Sequence, residues 1–76
     1  MSRKLPRITG KDLVKALQRA DFRIVRIKGS HYHLYHDEKE VLVTIPVHSG
    51  KILAPKTLKC ILKAAGISLD ELDNLL

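Results

Sequence analysis

The chain has 76 residues, with 14 Lys and Arg against 8 Asp and Glu, a formal net charge of +6 and a pI of about 9.8. At that length a second domain is excluded, and folding buries only about 60% of the surface an unfolded chain exposes, so one modest core spanning 1–76 is expected. An apolar content of 45% with 3 Pro and 4 Gly excludes a disordered tail, while the lone Cys60 excludes an internal disulfide and a cysteine-held zinc.

Met1 to Arg7 carries Arg3, Lys4 and Arg7 with no apolar run behind them, and no segment reaches membrane-spanning length. The expectation is a protein of the reducing cytoplasm, neither exported nor membrane-bound. Thr9 then reads as a helix N-cap with Asp12 three residues on, and Leu13, Val14, Ala16, Leu17 and Ala20 recur at helical spacing, predicting a helix over about 10–20. Lys11, Lys15 and Arg19 fall at i, i+4 and i+8 and line its solvated side.

β-branched, aromatic and basic residues from Phe22 to Lys28 predict a strand that Gly29-Ser30 ends as a turn. A second strand, His31 to His36, sets Tyr32, Leu34 and His36 on one side and His31, His33 and Tyr35 on the other. The polar run Asp37 to Glu40 reverses the chain into a third strand, Val41 to Pro46, completing an antiparallel meander. After a loop at 47–53, Pro55 opens a helix with the stripe Leu58, Ile61, Leu62, Ala65, closed by Gly66, and with Lys56, Lys59 and Lys63 opposite. Ser68, with Glu71 three residues later, caps a last short helix whose Leu69, Leu72, Leu75 and Leu76 are apolar. Three successive strands with helices on one face make an α+β two-layer sandwich, α-β-β-β-α(α).

The charge is uneven. Residues 1–28 carry nine Lys and Arg against two Asp, whereas residues 67–76 carry three acids and no base. A basic half of this kind draws a polyanion such as RNA or DNA through counterion release, although a merely soluble basic surface reads the same way. Lys28-Gly29-Ser30-His31 has the most chemical content. Gly29 lets backbone approach a ligand, turn N–H groups bind anions, and an imidazole beside a bound phosphate exchanges protons near neutral pH. If His31 removes a ribose 2′-hydroxyl proton and Lys28 steadies the phosphate charge, RNA is cut without a metal.

Each histidine also has a plainer reading as a strand pairing residue. A three-histidine metal site of His31, His33 and His48 is formally possible, but no matching pattern of carboxylates to orient the imidazoles accompanies it. Ser30 lacks a nucleophile elbow, and Cys60 reads as a partly buried small hydrophobe. Tyr32 and Tyr35 can stack bases, but with three aromatic residues in the chain the core claims Phe22 and at least one tyrosine.

In order, the Asp21-to-Arg26 stretch, Gly29-Ser30-His31, Ile45-Pro46-Val47-His48 and Thr57 to Ser68 resemble the HicA (YcfA-like) toxins, from about Thr9 to Leu72. The resemblance implies a double-stranded-RNA-binding-domain-like fold and an mRNA interferase restrained by a HicB antitoxin in a heteromeric complex, with no cofactor. It places the catalytic histidine at His31; the residues themselves put Lys28 and the Gly29-Ser30 backbone at the scissile phosphate, with His48 and, on the basic helical faces, Lys11, Lys15, Lys56 and Lys59 as RNA contacts. His48 matches a second recurrent histidine. The sequence departs from the family pattern at Tyr32, where a second histidine is frequent, and at Lys56, where glycine is. A non-catalytic RNA-binding module is the alternative reading of the same surface.

Overall fold

The computed structural model describes residues 5–76; Arg3 and Lys4, part of the basic amino-terminal charge, lie outside the described residues. The elements are α1 (Gly10–Arg19), β1 (Phe22–Lys28), β2 (His31–His36), β3 (Val41–Pro46), α2 (Pro55–Ala65) and α3 (Leu69–Leu75). This is the α+β layout expected from the sequence, with the strands in the antiparallel order β1-β2-β3. No helix among the described residues is long and apolar enough to cross a membrane.

Local chemistry accounts for where the helices begin. Thr9 accepts from the Asp12 N–H at 3.1 Å and the Asp12 carboxylate accepts from the Thr9 N–H at 3.1 Å, so two otherwise orphaned donors are satisfied at the start of α1. Ser68 and Glu71 repeat the device at α3. α2 has no side-chain cap: it starts on Pro55 after Ala54, with Lys56 in its first turn, and ends on Gly66 at φ +69°. Lys39, from the β2–β3 turn, donates to the carbonyls of Ala65 (3.2 Å) and Gly66 (3.4 Å), and Arg19 donates to the Leu75 carbonyl. Both cations sit at helix carboxyl ends, where the macrodipole favours them.

Leu13 and Leu17 of α1, Leu58, Ile61 and Leu62 of α2 and Leu72 of α3 pack with Phe22, Leu34, Val43 and Ile45 of the sheet in one core. Each fully buried leucine contributes about 1.5–3 kcal/mol relative to exposure, so this one-sided burial holds the helices to a single face. His36 also lies on the core side. Its Nδ1 accepts from the Lys39 N–H at 3.0 Å and its ring meets Phe22 edge-on at 5.0 Å, which assigns it to structure.

Two features were not legible in the strand pattern. Ile24 pairs with Leu34 but Arg26 pairs with His33, leaving Val25 as an extra, bulged residue. The 47–53 loop is also stitched down: Val47 N–H donates to the Ser30 carbonyl at 2.6 Å, Leu53 N–H to the Ile8 carbonyl at 2.8 Å, and Thr9 bridges Ile52.

Gly10 is buried where α1 starts, and a Cβ there would lie 2.1 Å from the Pro46 carbonyl oxygen. Alanine gains at most about 1 kcal/mol of helix propensity over glycine, whereas overpacking against backbone costs about 1–3 kcal/mol. Gly10→Ala is therefore expected to lower the melting temperature, and an unchanged or raised value would show that α1 does not approach β3 this closely.

The Thr9 backbone N–H, chiefly, holds the Asp12 carboxyl below its ordinary value of 3.8. The folded state thus prefers the carboxylate, so its contribution is present above pH 3.8 and is lost as pH falls through the lower folded value. The stability difference between wild type and Asp12→Asn, from chemical denaturation across an acid pH series, should be full at neutral pH and vanish well below pH 3.8.

Candidate functional site

Because the helices cover one face of the sheet, the other is free, and the strand registers decide what it displays. The cross-strand rows on that face are Lys28–His31–Pro46, Arg26–His33–Thr44 and Arg23–Tyr35–Leu42. The Val25 bulge makes this set possible. Unbroken alternation from Phe22 and Ile24 would send Arg26 and Lys28 toward the helices; the extra residue reverses the phase and turns both cations outward beside the imidazoles.

His31 is exposed and directly follows a two-residue hairpin turn. Gly29 takes φ +58° at the first central position, as a II′ turn requires, and nothing lies within 4 Å of where its Cβ would be. The Ser30 carbonyl is fixed by Val47, so the turn is anchored to the chain leaving β3. His31 is therefore held at the end of the sheet, opposite Lys28 on one side and Pro46 on the other.

Charge is graded along the face. Arg23 grips Asp37 through two bonds of 3.0 and 3.1 Å and lies 5.8 Å over the Tyr35 ring. The hydrogen-bonded guanidinium lowers the Asp37 carboxyl below its ordinary range and the carboxylate raises Arg23 in turn. Among the described residues no acidic partner pairs with Arg26 or Lys28, so the unbalanced positive charge lies at the His31 end.

His33, on the same face, shares a 2.8 Å hydrogen bond between its Nδ1 and the Thr44 hydroxyl. Among the described residues no group of three His, Cys, Asp or Glu side chains is placed to hold a metal, so the structure does not assemble His31, His33 and His48 into a metal site.

A groove of about 680 Å³ lies between α1 and the segment after β3. Lys11, Lys15 and Gln18 line its helical side, Val47, His48, Ser49 and Gly50 the other, with Tyr32 between them. The groove and His31 share one end of the sheet, because Pro46 pairs with His31 and the groove wall begins at the next residue.

Of the residues singled out from the sequence, Lys28, Gly29, Ser30 and His31 are brought together, and Lys11, Lys15 and His48 gather in the groove. Lys56 and Lys59 are not part of either cluster. Both are exposed on α2, where Lys59 borders a shallow apolar groove with Leu5, Leu62 and Ile67. Arg19, expected to extend the α1 stripe, instead closes α3. Cys60 is exposed, not partly buried, because the helix rotates it away from the stripe of Leu58, Ile61 and Leu62. Sequence reasoning missed Arg26 and Gln18. The adjacent apolar pair Ile24-Val25 was the available sign of a phase break; Gln18 gave none beyond its place one turn after Lys15.

The arrangement is that of a small α+β protein presenting a histidine and free cations on an uncovered sheet end. The model of the family of HicA toxins of bacterial toxin-antitoxin systems matches residues 10–67, from the first residue of α1 to the residue after Gly66. The chain belongs to this family. Among curated proteins, none matches the chain.

Proposed function

We propose that the protein is a metal-independent endoribonuclease that cleaves mRNA, with His31 as its acid/base catalyst. The observation that carries this is the exposed His31 at the anchored hairpin end, with Lys28 as cross-strand partner and, among the described residues, no carboxylate paired with Lys28. RNA carries its own nucleophile, so the protein needs only a proton acceptor and charge stabilisation. His31 takes the 2′-hydroxyl proton, the 2′ oxygen bonds to phosphorus, and the bond from phosphorus to the 5′ oxygen breaks. The leaving oxygen takes a proton from solvent, so the products are a 2′,3′-cyclic phosphate and a 5′-hydroxyl end.

Lys28 and the Gly29-Ser30 backbone hold the scissile phosphate. Lys11, Lys15 and His48 bind flanking RNA, and Lys56 and Lys59 reach more distant phosphates along α2. The order α-β-β-β-α supports a double-stranded-RNA-binding-domain-like fold, here turned to cutting mRNA, and the protein acts in the cytoplasm. The restraining partner is a HicB-like antitoxin, forming a heteromeric complex that covers the His31 end and supplies the acidic groups missing there. The competing reading is a non-catalytic RNA-binding module. In its favour, no hydrogen bond from the described residues orients the His31 ring, unlike those of His33 and His36.

Incubation of labelled mRNA with the protein in chelator separates the two. Cleavage is expected to persist in chelator, to leave cyclic-phosphate ends, and to stop at a site carrying a 2′-deoxyribose. General acid-base catalysis is worth about 10²–10⁴-fold, so His31→Ala should lose that much rate while its melting temperature stays near wild type, since the ring is exposed. Wild-type rate in a folded His31→Ala protein overturns the assignment, and salt-sensitive binding without scission by wild type establishes the binding module instead.

A further inference from the structure

The groove between α1 and the 47–50 segment has a composition that the chemistry at His31 does not need. At about 680 Å³ it falls within the size of small-ligand sites and has no room for a duplex. Its lining combines two ammonium groups, a carboxamide and a partly buried aromatic ring, and no carboxylate. The nearest acid on α1, Asp12, is engaged with the Thr9 N–H.

Resting on the RNA reading above, we infer that this groove is the subsite for one unpaired nucleotide flanking the scissile phosphate, its base against Tyr32 and Gln18 and its phosphate on Lys11 and Lys15. Single-stranded RNA is recognised by stacking splayed bases on aromatic rings and by hydrogen bonds to their edges. A ring offers the first, tolerant of base identity; a carboxamide, which donates and accepts, offers the second. Lys11 and Lys15 are successive on one helix face and exposed, as phosphate partners must be.

Continuity with the reaction site follows from the backbone. Pro46 faces His31 across the β2–β3 ladder, the Val47 N–H is bonded to the Ser30 carbonyl, and His48 already lines the groove. A strand of RNA leaving the groove over this edge arrives at the Lys28–His31 pair within a step or two of the chain. The groove thereby selects which nucleotide flanks the cut. Gln18, which the overall charge pattern did not mark, becomes the base-reading residue.

The test uses the full chain carrying His31→Ala, so that RNA is bound and not consumed, with a fluorescent 12-nucleotide RNA offered unpaired and as a duplex. The unpaired form is expected to bind more tightly. Loss of one stacked base costs roughly 5- to 150-fold in affinity, so adding Tyr32→Leu should weaken unpaired binding by that much while Tyr32→Phe should not. Adding Lys11→Ala and Lys15→Ala should reduce the slope of log affinity against log salt by about 1.4. Because Tyr32 is partly buried, 4-thiouridine crosslinking on the chain with native Tyr32 gives a second readout, expected at 11–18, 32 or 47–50. Crosslinks confined to α2 or the free sheet face, or equal affinity for duplex, overturn the subsite and leave the RNA reading standing. Absence of any RNA binding overturns that reading as well.

Discussion

A sheet covered by helices on one side has a single free face, and the period of two along each strand leaves no freedom about what appears there. The bulge at Val25 is the one place where the chain steps out of that period. Before it, Phe22 and Ile24 supply the core; after it, Arg26 and Lys28 stand outward beside His33 and His31. The same seven-residue strand thus serves burial at one end and charge display at the other. A regular strand could do this only with a different order of residues.

The rest of the fold makes that display affordable. Arg26 and Lys28 stand two residues apart on one face with no acid paired to them among the described residues, an arrangement that repels itself and favours an acidic partner. Elsewhere, charge is used for closure: Lys39 and Arg19 meet the open carbonyls of α2 and α3, Asp37 neutralises Arg23, and Asp12 of α1 and Asp70 and Glu71 of α3 sit in the first turns of their helices. Lys39, Arg19 and Arg23 are thus committed to structural contacts, whereas Arg26 and Lys28 on the sheet and Lys11 and Lys15 in the groove are left to face outward.

Much of this was legible in the sequence. The caps at Thr9 and Ser68, the glycine closing α2 and the turn at Gly29-Ser30 are local signals, each written within four residues, and all stand where expected. So does the split of the β2 histidines, since alternation needs no knowledge of neighbouring strands. What could not be read depends on two distant segments at once. The bulge is defined only against β2, the role of Arg19 only against α3, and the Ile8–Leu53 stitch only once both strands of the loop are brought together. The groove belongs to the same category: Gln18, Tyr32 and Ser49 carry no common pattern in the chain and become a unit only when α1 lies across the end of the sheet.

That crossing is controlled by the smallest residue present. Gly10 lies so close to the Pro46 carbonyl that any side chain would have to displace it, and the next residue, Lys11, already faces the groove. Pro46 in turn lies opposite His31, at the end of a strand where its missing N–H breaks no ladder bond that β2 requires. One backbone contact therefore sets the separation between the groove and the histidine. A larger residue at position 10 would move α1, with Lys11, Lys15 and Gln18, away from Val47 to Gly50, while leaving His31 and Lys28 on their hairpin. Geometry at Gly10 would then govern the shape of the groove, whereas geometry at Gly29 would govern the placement of His31, and the two residues lie on different elements that meet at Pro46 and Val47.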